Sequence, residues 1–82
     1  MKVRIKNERE KIKVKKVGSN TFEISNLEEN DRIVLYDILG RKVKEVEGSS
    51  RIVLNNVSSG VYFLMVKRKD YIVFREKVYI VK

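Results

Sequence analysis

Polar and apolar residues alternate along most of this chain, and a period of two points to β-structure. Lys2 to Lys6 alternates through Val3 and Ile5, and Lys11 to Lys15 through Ile12 and Val14. A strand with one buried face writes this pattern, because successive side chains point to opposite sides. Thr21 to Ile24 continues it, with Phe22 and Ile24 on one face. Arg32 to Asp37 and Val61 to Lys67 are apolar on both faces, as central strands are. Lys42 to Glu47 alternates with Val43 and Val46 out of step, which predicts a bulge. Arg51 to Leu54 is a short strand, Tyr71 to Arg75 pairs back after a hairpin tip, and Lys77 to Lys82 completes a long final strand.

Turn signals separate these runs at Gly18-Ser19-Asn20, Ile38 to Arg41, Gly48-Ser49-Ser50, Asn55 to Gly60 and Arg68-Lys69-Asp70. Asn26 to Asp31 reads as an acidic solvent loop, with Leu27 as an anchor beneath it. Glu8 to Lys11 has helical propensity but is too short to stand alone. Short strands with frequent turns predict an all-β fold, an immunoglobulin-like β-sandwich of about seven antiparallel strands. The expected core draws on Ile12, Val14, Phe22, Ile24, Leu35, Val43, Ile52, Leu54, Val61, Phe63, Phe74, Val78 and Ile80.

Eighty-two residues suffice for one small domain, residues 1–82. With no Cys and no His, the chain has no disulfide, no thiolate metal site, no usual zinc ligand and no usual general base. Lys and Glu are rich while Gln and Cys are missing, a bias that suits a heat-adapted source or an engineered β protein. The net charge of +8 is uneven: residues 1–17 carry +6, residues 18–60 carry −2 and residues 61–82 carry +4. Basic domains bind nucleic acid or anionic membranes, but Lys on strand edges also blocks aggregation. Met1 to Lys6 has no apolar core of signal-peptide length, and no run approaches transmembrane length. Either the protein is cytoplasmic, with Met1 its native start, or the chain is the C-terminal module of a larger secreted protein.

Two stretches combine a glycine turn with a strand. In Val34-Leu35-Tyr36-Asp37-Ile38-Leu39-Gly40-Arg41-Lys42-Val43, Asp37 is placed to accept backbone N–H groups of the turn, and Gly40 to supply a positive φ. In Ile52 to Leu64, a polar loop leads through Ser59 and Gly60 into Val61-Tyr62-Phe63-Leu64. Turn formation accounts for Asp37, Gly40, Arg41 and Gly60. Tyr36 and Tyr62 are expected to pack their rings at the edge of the core and hydrogen-bond their hydroxyls.

These stretches, followed by Lys77-Val78-Tyr79-Ile80-Val81-Lys82, resemble the type A C-terminal sorting domain of the type IX secretion system. That family shows a Tyr-Asp strand end, a Gly-Arg turn, a Gly-Val-Tyr strand start and a final Lys-containing strand, in this order. The resemblance covers residues 36–82, and residues 20–35 more loosely; the Asn-Pro turn with which the family opens is missing, as the chain has no Pro. It implies a non-catalytic sorting signal that directs an attached N-terminal cargo across the outer membrane. It also implies partners among the outer-membrane translocon components, and passage through the periplasm to the cell surface or medium. The docking residues it implies are Lys77, Val78, Tyr79, Ile80, Val81 and Lys82, read by strand addition or carboxylate capture. Proteolytic release of the cargo would fall near Asn7 to Lys16.

No catalytic constellation accompanies these motifs, and no cofactor, metal or small-molecule substrate is expected. Glu28, Glu29 and Asp31 sit in the acidic loop without the contrasting environments that acid–base pairs need. Their spacing is not that of an EF-hand. Ser49-Ser50 and Ser58-Ser59 lack a His to activate them. Two alternatives stay open. One is a structural or adhesive appendage. The other is a small nucleic-acid binder using Tyr71 and Tyr79 beside Arg75 and Lys77 as a basic-aromatic face. Exposed edge strands also allow a homodimer by strand pairing.

Overall fold

The computed structural model describes residues 11–81. It contains seven strands: β1 (Lys13–Gly18), β2 (Thr21–Ser25), β3 (Arg32–Asp37), β4 (Lys42–Glu47), β5 (Arg51–Val53), β6 (Gly60–Arg68) and β7 (Tyr71–Ile80). The expected strand over Lys2 to Lys6 lies outside the described residues. One sheet has the order β1-β2-β5 and the other β4-β3-β6-β7, with every pairing antiparallel. The result is an all-β, two-sheet sandwich. The doubly apolar runs form β3 and β6, the two central strands of the larger sheet.

The core lies between the sheets. Phe22, Ile24 and Ile52 come from the smaller sheet, and Ile33, Leu35, Tyr62, Leu64, Val66, Val78 and Ile80 from the larger. Leu54 and Val57 close one end, while Ile12, Val14, Leu27, Val46, Val73 and Phe74 pack at the margin. Because Ile12 and Val14 pack here and Lys13 to Lys16 belong to β1, the second half of the expected release region is part of the sandwich, while Asn7 to Glu10 lies outside the described residues.

The phase of β6 is opposite to the expected one. Tyr62, Leu64 and Val66 face inward, whereas Val61 and Phe63 are half-buried on the outer face. An apolar run on both faces carries no phase of its own. Pairing decides it: Leu64 lies opposite Leu35 and Val66 opposite Ile33, both core residues. Tyr36 is likewise on the outer face, not at the core's edge. Its hydroxyl accepts a hydrogen bond from Lys67 Nζ at 2.6 Å, and the same ammonium stands 5.2 Å from its ring centroid. Val43 also leaves the core, with 39% of its surface exposed. Leu35 pairs with Lys44 but Tyr36 with Lys42, so Val43 is the extra residue of a bulge.

The acidic loop is more ordered than its composition implied. Asp31 is buried; Arg68 Nε and Nη2 donate to its two carboxylate oxygens at 2.8 and 2.9 Å. Its Oδ2 also accepts the Glu28 amide at 2.8 Å. The Arg68 fork holds the Asp31 carboxyl below the usual carboxylate range. The loop is thereby tied to the end of β6.

Candidate docking surface

Antiparallel pairing sorts the connections to two ends of the sandwich. The start of β1, loops 26–31 and 48–50 and the β6–β7 turn lie at one end. The β1–β2 turn, the β3–β4 hairpin tip, loop 54–59 and the end of β7 lie at the other. The motif residues meet at this second end. Asp37 pairs with Tyr62 across β3 and β6, and Tyr62 pairs with Val78 across β6 and β7. Residues far apart in sequence thus form one row across three strands.

The β3–β4 tip is pinned by one side chain. Asp37 Oδ1 accepts the amides of Leu39 at 3.0 Å and Arg41 at 2.8 Å, and Oδ2 accepts Arg41 Nε at 2.8 Å. The Gly40 amide donates to the Asp37 carbonyl at 2.9 Å. Gly40 has a φ of +85°, where a side chain would be strained, so glycine fits the geometry. These bonds, the Arg41 amide first, lower the Asp37 carboxyl below its ordinary range.

Tyr62 closes the second turn. Its ring is in the core and its hydroxyl donates to the Ser58 carbonyl at 2.8 Å, the arrangement of a tyrosine corner. An added Cβ at Gly60 would lie 3.6 Å from the Tyr62 ring, an ordinary contact; the demand for glycine comes from its φ of +156°. Replacing Tyr62 by Phe should keep the packing and remove the hydrogen bond. The expected cost is about 1 kcal/mol, read as a lower midpoint in denaturant unfolding with an unchanged slope.

β7 divides the expected docking residues in two. Val78 and Ile80 are buried core anchors, whereas Lys77, Tyr79 and Val81 are exposed; Lys82 lies outside the described residues. β7 is also an edge of its sheet, so one side of its backbone has no strand partner among the described residues. Tyr71 and Tyr79 do not form one aromatic platform. They stand at opposite ends of β7, eight steps of about 3.4 Å apart, or roughly 27 Å.

Three features were not anticipated from the sequence. The first is the Asp31–Arg68 pair. The second is a shallow groove of about 270 Å³ on the outer face of the larger sheet, lined by Tyr36, Phe63, Met65, Lys67 and Ile72 among others. The double apolarity of β3 and β6 was its available signal. The third is the exposure of Ile38 and Leu39 at the hairpin tip, 69% and 74%. No group of three or more Asp, Glu, His or Cys suited to a metal occurs among the described residues.

The family model for the secretion system C-terminal sorting domain matches residues 16–81. The chain belongs to this family. It is a type IX sorting domain, and the match covers all seven strands apart from the first residues of β1. No curated protein and no solved structure shows significant similarity to the chain. Membership indicates a sorting signal, an attached cargo and a secreted, cell-surface or extracellular destination. It gives no support to the cytoplasmic alternative. Sorting domains of this family are generally non-catalytic.

Proposed function

We propose that this type IX sorting domain docks its cargo to the outer-membrane translocon through the outer side of β7. The observation that carries this reading is the division of labour along that strand. Val78 and Ile80 hold it in the core, while Lys77, Tyr79 and Val81 face solvent beside an open backbone edge. A partner can add a strand along that edge and read the exposed side chains at every second position. Asp37, Gly40, Arg41, Gly60 and Tyr62 serve this strand indirectly, by fixing the turns on which β3 and β6 enter it. On this reading residues 1–82 act as one module at the C-terminal side of the cargo, and release falls before Ile12. The same edge could pair with a second copy, so a dimer would compete with docking.

The test uses a reporter carrying an export signal, fused ahead of the domain in a cell with type IX machinery. Lys77→Glu with Tyr79→Ser changes only exposed positions. The expected result is a folded reporter retained in the periplasm. Normal secretion of this double variant would overturn the docking role. Sedimentation of the purified chain checks the dimer, which a monomer at all concentrations would exclude.

A further inference from the structure

We propose that the Ile38–Leu39 tip inserts into an anionic phospholipid surface, with its end of the sandwich facing the headgroups. This goes beyond the sorting reading and does not depend on β7 docking.

Ile38 and Leu39 are, with Val81, the most exposed large aliphatic side chains among the described residues. They are adjacent on a hairpin tip that Asp37 and Gly40 hold in one shape, with Ile38 also bordering the outer-face groove. A rigid apolar wedge loses little conformational freedom on insertion. Tyr79 and Val81 lie at the same end, near the exit of β7.

Charge favours a lipid surface at this end. The loop acids Glu28, Glu29, Asp31 and Asp70 all lie at the opposite end, where β1 starts. Asp37 is the one carboxylate among the described residues that borders the tip, and Arg41 pairs with it. Lys42 likewise pairs with Glu45. These two pairs contribute no net charge. Lys16, Lys44 and Lys77 form no ion pair with a carboxylate among the described residues, and against the one exposed Glu76 in the row of Lys44 they leave this end positive. An apolar tip on a cationic body is the combination that binds interfaces of anionic lipid. A fluid anionic surface needs only a wedge and net positive charge, whereas a protein partner would need a shaped pocket for the tip.

The chain contains no Trp, so Leu39→Trp is a lone fluorescent reporter. With vesicles of mixed phosphatidylglycerol and phosphatidylcholine, its emission should shift to the blue and resist an aqueous quencher. Partition should fall roughly tenfold or more in Ile38→Ser with Leu39→Ser. It should also weaken as salt rises, by screening of the lysines. Both serines replace exposed side chains, and circular dichroism checks that the fold is kept. No partition of the unaltered chain at low salt would overturn the proposal. So would equal partition of the serine variant, or a tip that is needed for secretion while vesicles are ignored, which would assign it to a protein partner.

Discussion

Replacing Leu64 by Ala is expected to lower the stability of this domain by about 3 kcal/mol. Leu64 is fully buried, pairs with Leu35 on β3 and contributes to the cluster between the sheets. The cost combines lost burial with a cavity that two hydrogen-bonded sheets cannot easily collapse. A domain of this size is expected to have only about 5–10 kcal/mol in all. The change therefore removes a large share of stability, roughly 12–24 °C in melting temperature at 4–8 °C per kcal/mol. Phe63→Ala supplies the contrast. Phe63 is larger, yet it is half-buried on the outer face, so its loss should cost less than that of Leu64. Thermal unfolding of the two variants tests the phase of β6 directly. A larger loss for Phe63→Ala would mean that β6 faces the other way.

Asp31→Asn should be the most damaging substitution among the charged residues, at about 2–3 kcal/mol. It removes a two-pronged ion pair whose carboxylate side chain is 0% exposed. It also weakens the hold on the Glu28 amide. Arg68 keeps some contact with water, which places the cost below that of a fully buried pair. The pH dependence follows from the direction of the shift. The Arg68 hydrogen bonds lower the Asp31 pKa in the folded state. The stabilisation is thus fully present above the unfolded value near 3.8, and is lost as pH falls through the lower folded value. Asp37 and Glu45 are shifted the same way and should add to the acid sensitivity. The gap between the original chain and Asp31→Asn should therefore be constant near neutrality and close below about pH 4. Urea unfolding at several pH values measures it. A gap that widens in acid would contradict the ion-pair account.

The two ends of the sandwich differ in what they present. One end carries the acidic loops and the start of β1. The other gathers the motif turns, the apolar hairpin tip and the exit of β7. A sorting domain needs its readable surface clear of what it carries. The antiparallel arrangement places the end of β7, the proposed docking strand, opposite the point where β1 begins.

Much of this was legible in the residues alone. Period-two alternation and turn residues determined the strands, and the double apolarity of Arg32–Asp37 and Val61–Lys67 determined that they are central. Asp37 and Gly40 announced their turn, because a carboxylate two residues before a turn amide and a glycine at positive φ are local requirements. What the tertiary structure alone decided is long-range. A run that is apolar on both faces cannot say which face turns inward; only pairing with Leu35 and Ile33 puts Leu64 and Val66 in the core and leaves Phe63 and Tyr36 outside. The partner of Asp31 is 37 residues away, beyond the reach of any local pattern. Ile38 and Leu39 look like core residues by composition. Their exposure follows from a turn that spends its hydrogen bonds on Asp37 and places both residues outside the paired strands.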